Sequence, residues 1–132
     1  MAYDDNQLFS QGSYDPYPRI KPVHQYPKTF AAGTDKLEVG TPVAFNTSTK
    51  QWVVWTSGGA NGTGEIRGFV YPEAIQLVSG KEVLGVVMMA GEIHYDDIVL
   101  PSGETESDLK DSLRADAVRE RGLWITGLDE VR

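Results

Sequence analysis

The stretch Thr41 to Trp55, TPVAFNTSTKQWVVW, constrains the fold of this chain more than any other. Thr41-Pro42 opens a run of strand formers, Val43-Ala44-Phe45, and a proline at the mouth of a strand forfeits no ladder hydrogen bond. The polar cluster Asn46-Thr47-Ser48-Thr49-Lys50 interrupts the run. Gln51-Trp52-Val53-Val54-Trp55 then runs extended again, rich in β-branched and aromatic side chains. Two short strand patterns around a polar turn predict a β-hairpin. The chain after Trp55 must supply the sheet and the helix against which that hairpin packs.

Thr56 to Gly64, TSGGANGTG, is a flexible loop with four glycines. No helix opening on Lys-Ser/Thr follows it, so it lacks the pattern of a phosphate cradle. Glu65 to Tyr71 resumes a strand that Pro72 ends. Glu73 to Val78 fits either a turn of helix or a short strand, and Ser79 to Glu82 reads as a turn. Val83 to Met89 is the most apolar strand of the chain and needs cover on both faces. Glu92 to Tyr95 alternates polar and apolar residues, as a half-buried strand does, and bends at Asp96-Asp97. Thr105 to Arg121 is the one convincing helix. Glu104, Glu106 and Asp108 suit its positive end, and Leu109, Leu113 and Ala117 form a narrow apolar stripe. Gly122 stops it, and Leu123-Trp124-Ile125 predicts a final core strand with Trp124 packed inside.

Residues 1–40 have a different character. Pro16, Pro18, Pro22 and Pro27 fall among Tyr3, Tyr14, Tyr17 and Tyr26, and the apolar residues follow neither a period of 2 nor one of 3.6. Proline at this density forbids helix and favours extended segments. A solvating tail is poor in aromatics, whereas this segment spaces aromatics along an extended backbone, as a segment that docks on a partner would. The division is therefore an extended arm over 1–40 and a β-rich domain over 41–132. Only proline-free pieces of the arm can pair as strands, and the best are Asn6 to Tyr14 and Val23 to Tyr26 with Lys28 to Ala32. The second lies nearer the body and loses less entropy on tethering, which singles out Val23, His24, Gln25, Tyr26, Lys28, Thr29 and Phe30 as contact residues.

Bulk composition narrows the function. The 132 residues suggest one domain, and apolar residues make up 40%, enough for a modest core. There is no cysteine, hence no disulfide and no thiolate metal site. A net charge of −7 argues against nucleic acid and anionic membrane as partners. Asp4 and Asp5 stand where a signal peptide carries basic residues, and the longest apolar run, Val83 to Ala90, falls short of the about 20 residues a spanning helix needs. These features predict a soluble, non-secreted protein. Glu92, Asp96 and Asp97 beside His94 invite a metal or acid–base reading, but adjacent carboxylates point apart in extended chain, and His94 has no ligand spacing to His24. The expectation is no enzyme, no metal and no cofactor. Trp52 and Trp55 could instead form a platform for sugar, making the chain a β-rich carbohydrate- or surface-binding module.

With the hairpin and the Tyr-Asp-Asp step both read, the chain resembles the head decoration proteins of lambda-like tailed phages. The resemblance rests on TPVAFNTSTKQWVVW, the Gly-rich loop after it and GEIHYDDIVLP, and runs over about residues 41–126. Its positions are Thr41, Pro42, Trp55, Gly91, Tyr95, Asp96, Asp97, Pro101, Gly122 and Ile125. It implies a mainly β domain of the β-clip type, with one short α-helix and an N-terminal arm that orders on the capsid. It also implies homotrimers on the outer surface of the virion head, at threefold positions, made in the host bacterial cytoplasm. There they bind the major capsid protein and stabilise the expanded capsid against internal DNA pressure. The residues agree independently: a body of 41–132 buries only about 60–65% of its chain surface, and oligomerisation is a usual remedy.

Overall fold

The structure is a computed structural model that describes residues 19–128. The expected strand piece Asn6 to Tyr14, the rest of the arm through residue 18 and the last four residues lie outside the described residues. The architecture is mainly β. In chain order it comprises β1 (Ile20–Phe30), β2 (Lys36–Leu37), β3 (Pro42–Asn46), β4 (Gln51–Val54), β5 (Gly68–Val70), β6 (Ile75–Gln76) and β7 (Val83–His94). A 3-10 turn at Tyr95–Asp97, helices α1 (Glu106–Leu113) and α2 (Asp116–Glu120), and β8 (Leu123–Thr126) complete it.

The predicted hairpin forms as β3 and β4, paired antiparallel from Val43↔Val54 to Asn46↔Gln51. Its turn is held by Asn46, whose side-chain oxygen accepts from the backbone N–H groups of Ser48 and Thr49. This is the local bonding that makes asparagine a turn former. The six-stranded sheet runs β1-β4-β3-β5-β7-β8, and β1 also pairs with β7, so five strands close on themselves with β8 appended. Closure passes through one parallel step, Phe30↔Trp52, backed by the Ala31 N–H on the Trp52 carbonyl. β2 and β6 pair apart as a short second sheet, which settles Glu73 to Val78 as strand rather than helix.

Neighbouring residues of the central strands turn to opposite faces, and both faces are covered. Val43, Val70 and Val87 pack with Phe30, Leu37, Trp52 and Ile75. Their neighbours Ala44, Phe69 and Met88 pack on the other face with Trp55, Ile66, Leu109, Leu113, Val118 and Leu123. β7 therefore has cover on both faces at Val87 and Met88, whereas Leu84 of the same apolar run is 73% exposed. β7 continues to His94 as one strand of 12 residues, merging two segments that the sequence suggests are separate.

Three features differ from the sequence expectations, each for a physical reason. Proline spacing predicts a segment with little part in the core, yet residues 20–30 form β1, antiparallel to β7 from Ile20↔Ile93 to Phe30↔Val83. Ile20, Phe30 and Leu37 are buried. Pro22 and Pro27 are tolerated because β1 has a strand on one side only until Phe30, and the register shifts between Pro22 and Gln25. The single helix is broken at Ala115, whose backbone is extended. The break re-phases the chain so that Val118 is buried, five residues beyond Leu113, a spacing that a continuous helix would turn away. Trp124 is not a core residue: it is 58% exposed. Leu123 is buried, and the pleat of β8 sends the next side chain to the opposite face.

Candidate functional site

Several of the resemblance positions are tied into the core and its margins: Trp55 is part of it, and Tyr95 and Ile125 pack against it. The Thr41 hydroxyl donates to the Glu38 carbonyl at 2.7 Å, and the Trp55 N–H donates to the Pro42 carbonyl at 3.0 Å. Gly40 has φ +95°, and a Cβ there would overlap the Asp97 carbonyl oxygen. The Val99 N–H donates to the Gly40 carbonyl at 3.0 Å. The entrance to the hairpin is thus seated on the Tyr-Asp-Asp turn. Trp55 is buried, with its indole N–H donating to the Gly64 carbonyl at 3.2 Å, which ties the Gly-rich loop to the core. Gly91 has φ +143°, and its missing side chain leaves room for the backbone of Lys21 to Val23, where β1 bulges.

The acid–histidine cluster has structural partners. His94 Nδ1 accepts the Asp96 N–H at 3.1 Å, capping the 3-10 turn. Asp97 accepts from Arg19 at 2.8 Å, pinning the start of β1 to that turn. Glu92 lies on a different strand row, opposite Lys21 and Trp124, and does not join them. Among the described residues no group of three or more His, Asp or Glu side chains is placed to hold a metal ion. Tyr95 is half-buried, and its hydroxyl pKa is raised above the ordinary value, first by burial and then by Glu106 and Asp96, with Arg114 opposing. The sugar-platform alternative loses its proposed residues, since Trp52 and Trp55 are both buried.

The expected contact segment is brought to the surface by β1. Val23 is 70% and Tyr26 47% exposed, and His24 and Gln25 are exposed between them. His24 and Tyr26, two residues apart on one face, stack with centroids 6.0 Å apart and planes 22° from parallel. Lys28 comes next on that face, its Nζ 5.5 Å from the Tyr26 ring centroid and 5.6 Å from that of Trp52. Thr29 is half-buried. Phe30 is 1% exposed, so it anchors the strand instead of offering a contact. Among the described residues no strand pairs with the other edge of β1 before Phe30.

Sequence reasoning missed Trp124. It borders a cavity of about 500 Å³ together with Val23, Ala90, Gly91, Glu92 and Glu120. Strict alternation in Leu123-Trp124-Ile125 was the available signal, since one strand cannot bury consecutive side chains on the same face. Among the described residues no helix is long and apolar enough to cross a membrane. No protein-family model matches the chain, and comparison with curated proteins finds no match.

Proposed function

We propose that this protein is a structural virion component, a homotrimeric head decoration protein with a β-clip-like domain. It binds the major capsid protein on the outside of an expanded phage head at threefold positions and stabilises the shell against internal DNA pressure. The role is mechanical, with no catalysis, cofactor, nucleic acid or membrane.

The observation that carries this reading is β1. It is an 11-residue strand, exposed through its middle, with one edge free of any described strand before Phe30. A free edge gives a partner's backbone a row of hydrogen-bonding groups, and alternate side chains such as His24, Tyr26 and Lys28 give it specificity. An exposed edge is ordinarily a liability that proteins blunt, and β1 keeps Val23 and Tyr26 on display there. The ordered motifs from Thr41 to Ile125 add support, because most of them meet around one core. Trimerisation sets the reading apart from other β-rich modules. Sedimentation equilibrium of the free protein should give the chain mass or three times it, and a stable dimer would count against threefold seating.

A further inference from the structure

The cavity beside Trp124 is outside the Thr41–Trp55 core and adjoins the stacked pair of β1, since His24 lines it beside Val23. Ala90, Gly91 and Glu92 of β7 line it with Val23, Glu120 and Trp124. Gly91 brings no side chain, because a Cβ there would overlap the Lys21 carbonyl oxygen and crowd the backbone of Pro22 and Val23. Trp124 faces solvent over more than half its surface. It stands on β8 level with Glu92 on β7, so their side chains leave the sheet on the same face as neighbours.

Charge distinguishes this cavity from a bare apolar patch. Among the described residues neither Glu92 nor Glu120 has an ion pair or a side-chain hydrogen bond. The one guanidinium in the lining is committed elsewhere: Arg121 donates to Glu65 at 2.7 Å and to the Ala117 carbonyl at 3.4 Å. Lys21 stands opposite Glu92 on β1, is exposed, and forms no ion pair with it. An open indole beside two unpartnered carboxylates, on a chain of net charge −7, is complementary to a cation with a flat face. A guanidinium satisfies all three groups, stacking on the indole while its N–H groups donate to carboxylate oxygens.

We infer that the Trp124–Glu92–Glu120 cavity receives an arginine side chain presented by a partner protein. The inference does not rest on the capsid reading, because it concerns only the chemistry of the contact. The ligand is a cation rather than a neutral sugar, because the rim offers two carboxylate acceptors while its guanidinium is committed to Glu65. Anionic ligands are repelled by the same rim.

The test uses the full chain and the peptide acetyl-Gly-Gly-Arg-Gly-Gly-amide, followed by NMR. The indole N–H resonance of Trp124 is assigned from its loss in Trp124→Phe. At millimolar peptide that resonance and the backbone amides of Glu92 and Glu120 should shift together, leaving Trp52 and Trp55 unmoved. The same peptide with citrulline, which keeps the shape and drops the charge, should leave all of them in place. Glu92→Gln and Glu120→Gln, both neutral in shape, should each weaken binding by about two- to fivefold, and added salt should weaken it further. Equal shifts with the citrulline peptide would overturn the inference. So would no shift at Trp124 with the arginine peptide, or a Trp124 shift produced by neutral methyl glycosides instead.

Discussion

Removing residues 2–38 should destroy the fold, whereas removing residues 2–18 should leave it standing. A chain that begins at Arg19 keeps every core residue named above. A chain that begins at Val39 loses Ile20 and Phe30, each 1% exposed, and Leu37, 4% exposed. Truncating a buried phenylalanine costs about 3–5 kcal/mol, and a buried isoleucine or leucine about 2–5 kcal/mol. Any two of these losses approach the about 5–15 kcal/mol by which a whole domain is stable. The longer deletion also strips β7 of its antiparallel partner along nearly its whole length, opening a long apolar edge to self-association. Urea denaturation followed by far-ultraviolet circular dichroism separates the outcomes. The shorter deletion should keep a cooperative transition, and the longer one should show none and aggregate. A cooperative transition in the longer deletion, within about 1 kcal/mol of the shorter, would refute the placement of β1 in the core.

The tryptophans offer a paired check. Trp55→Ala should cost about 3–5 kcal/mol, because the side chain is fully buried, whereas Trp124→Ala should move stability by less than about 1 kcal/mol. A pH series reads Tyr95. Its raised pKa means that the folded state favours the neutral phenol, so this contribution is complete below about pH 10 and is lost as pH rises through the higher native value. Stability of the native chain should therefore fall more steeply above pH 10 than that of Tyr95→Phe, and parallel curves would contradict the burial of that hydroxyl.

The parts of the fold that were legible in the sequence are those in which local chemistry and tertiary context agree. The hairpin from Thr41 to Trp55 is marked by strand formers on both sides of a turn that Asn46 can bond. Thr105, where the predicted helix begins, caps α1 by accepting from the Asp108 N–H at 3.1 Å. The parts that were hidden depend on distant partners. Nothing local in IKPVHQYPKTF says that β7 lies alongside it, and its prolines argue against a strand unless one edge is known to be free. The break at Ala115 follows from the need to bury Val118, which the stripe of Leu109, Leu113 and Ala117 conceals. At the candidate site, of the residues singled out in the arm, Val23 to Tyr26 are exposed, Lys28 and Thr29 are half-buried, and Phe30 is buried. Pairing with β7 and β4 sets this burial, and the proline spacing does not reveal it. Three apolar residues in a row placed Trp124 inside, where the pleat does not allow it.

The central claim is tested most directly by co-sedimentation of the full chain with expanded phage heads emptied of DNA. The account predicts that the protein pellets with the heads and saturates at three copies for each threefold position. It also predicts that Tyr26→Glu, which sets a charge in the exposed row of β1, reduces binding without changing the circular dichroism of the free protein. Failure of the folded protein to pellet at any ratio with the heads to which the proposal assigns it would contradict the assignment.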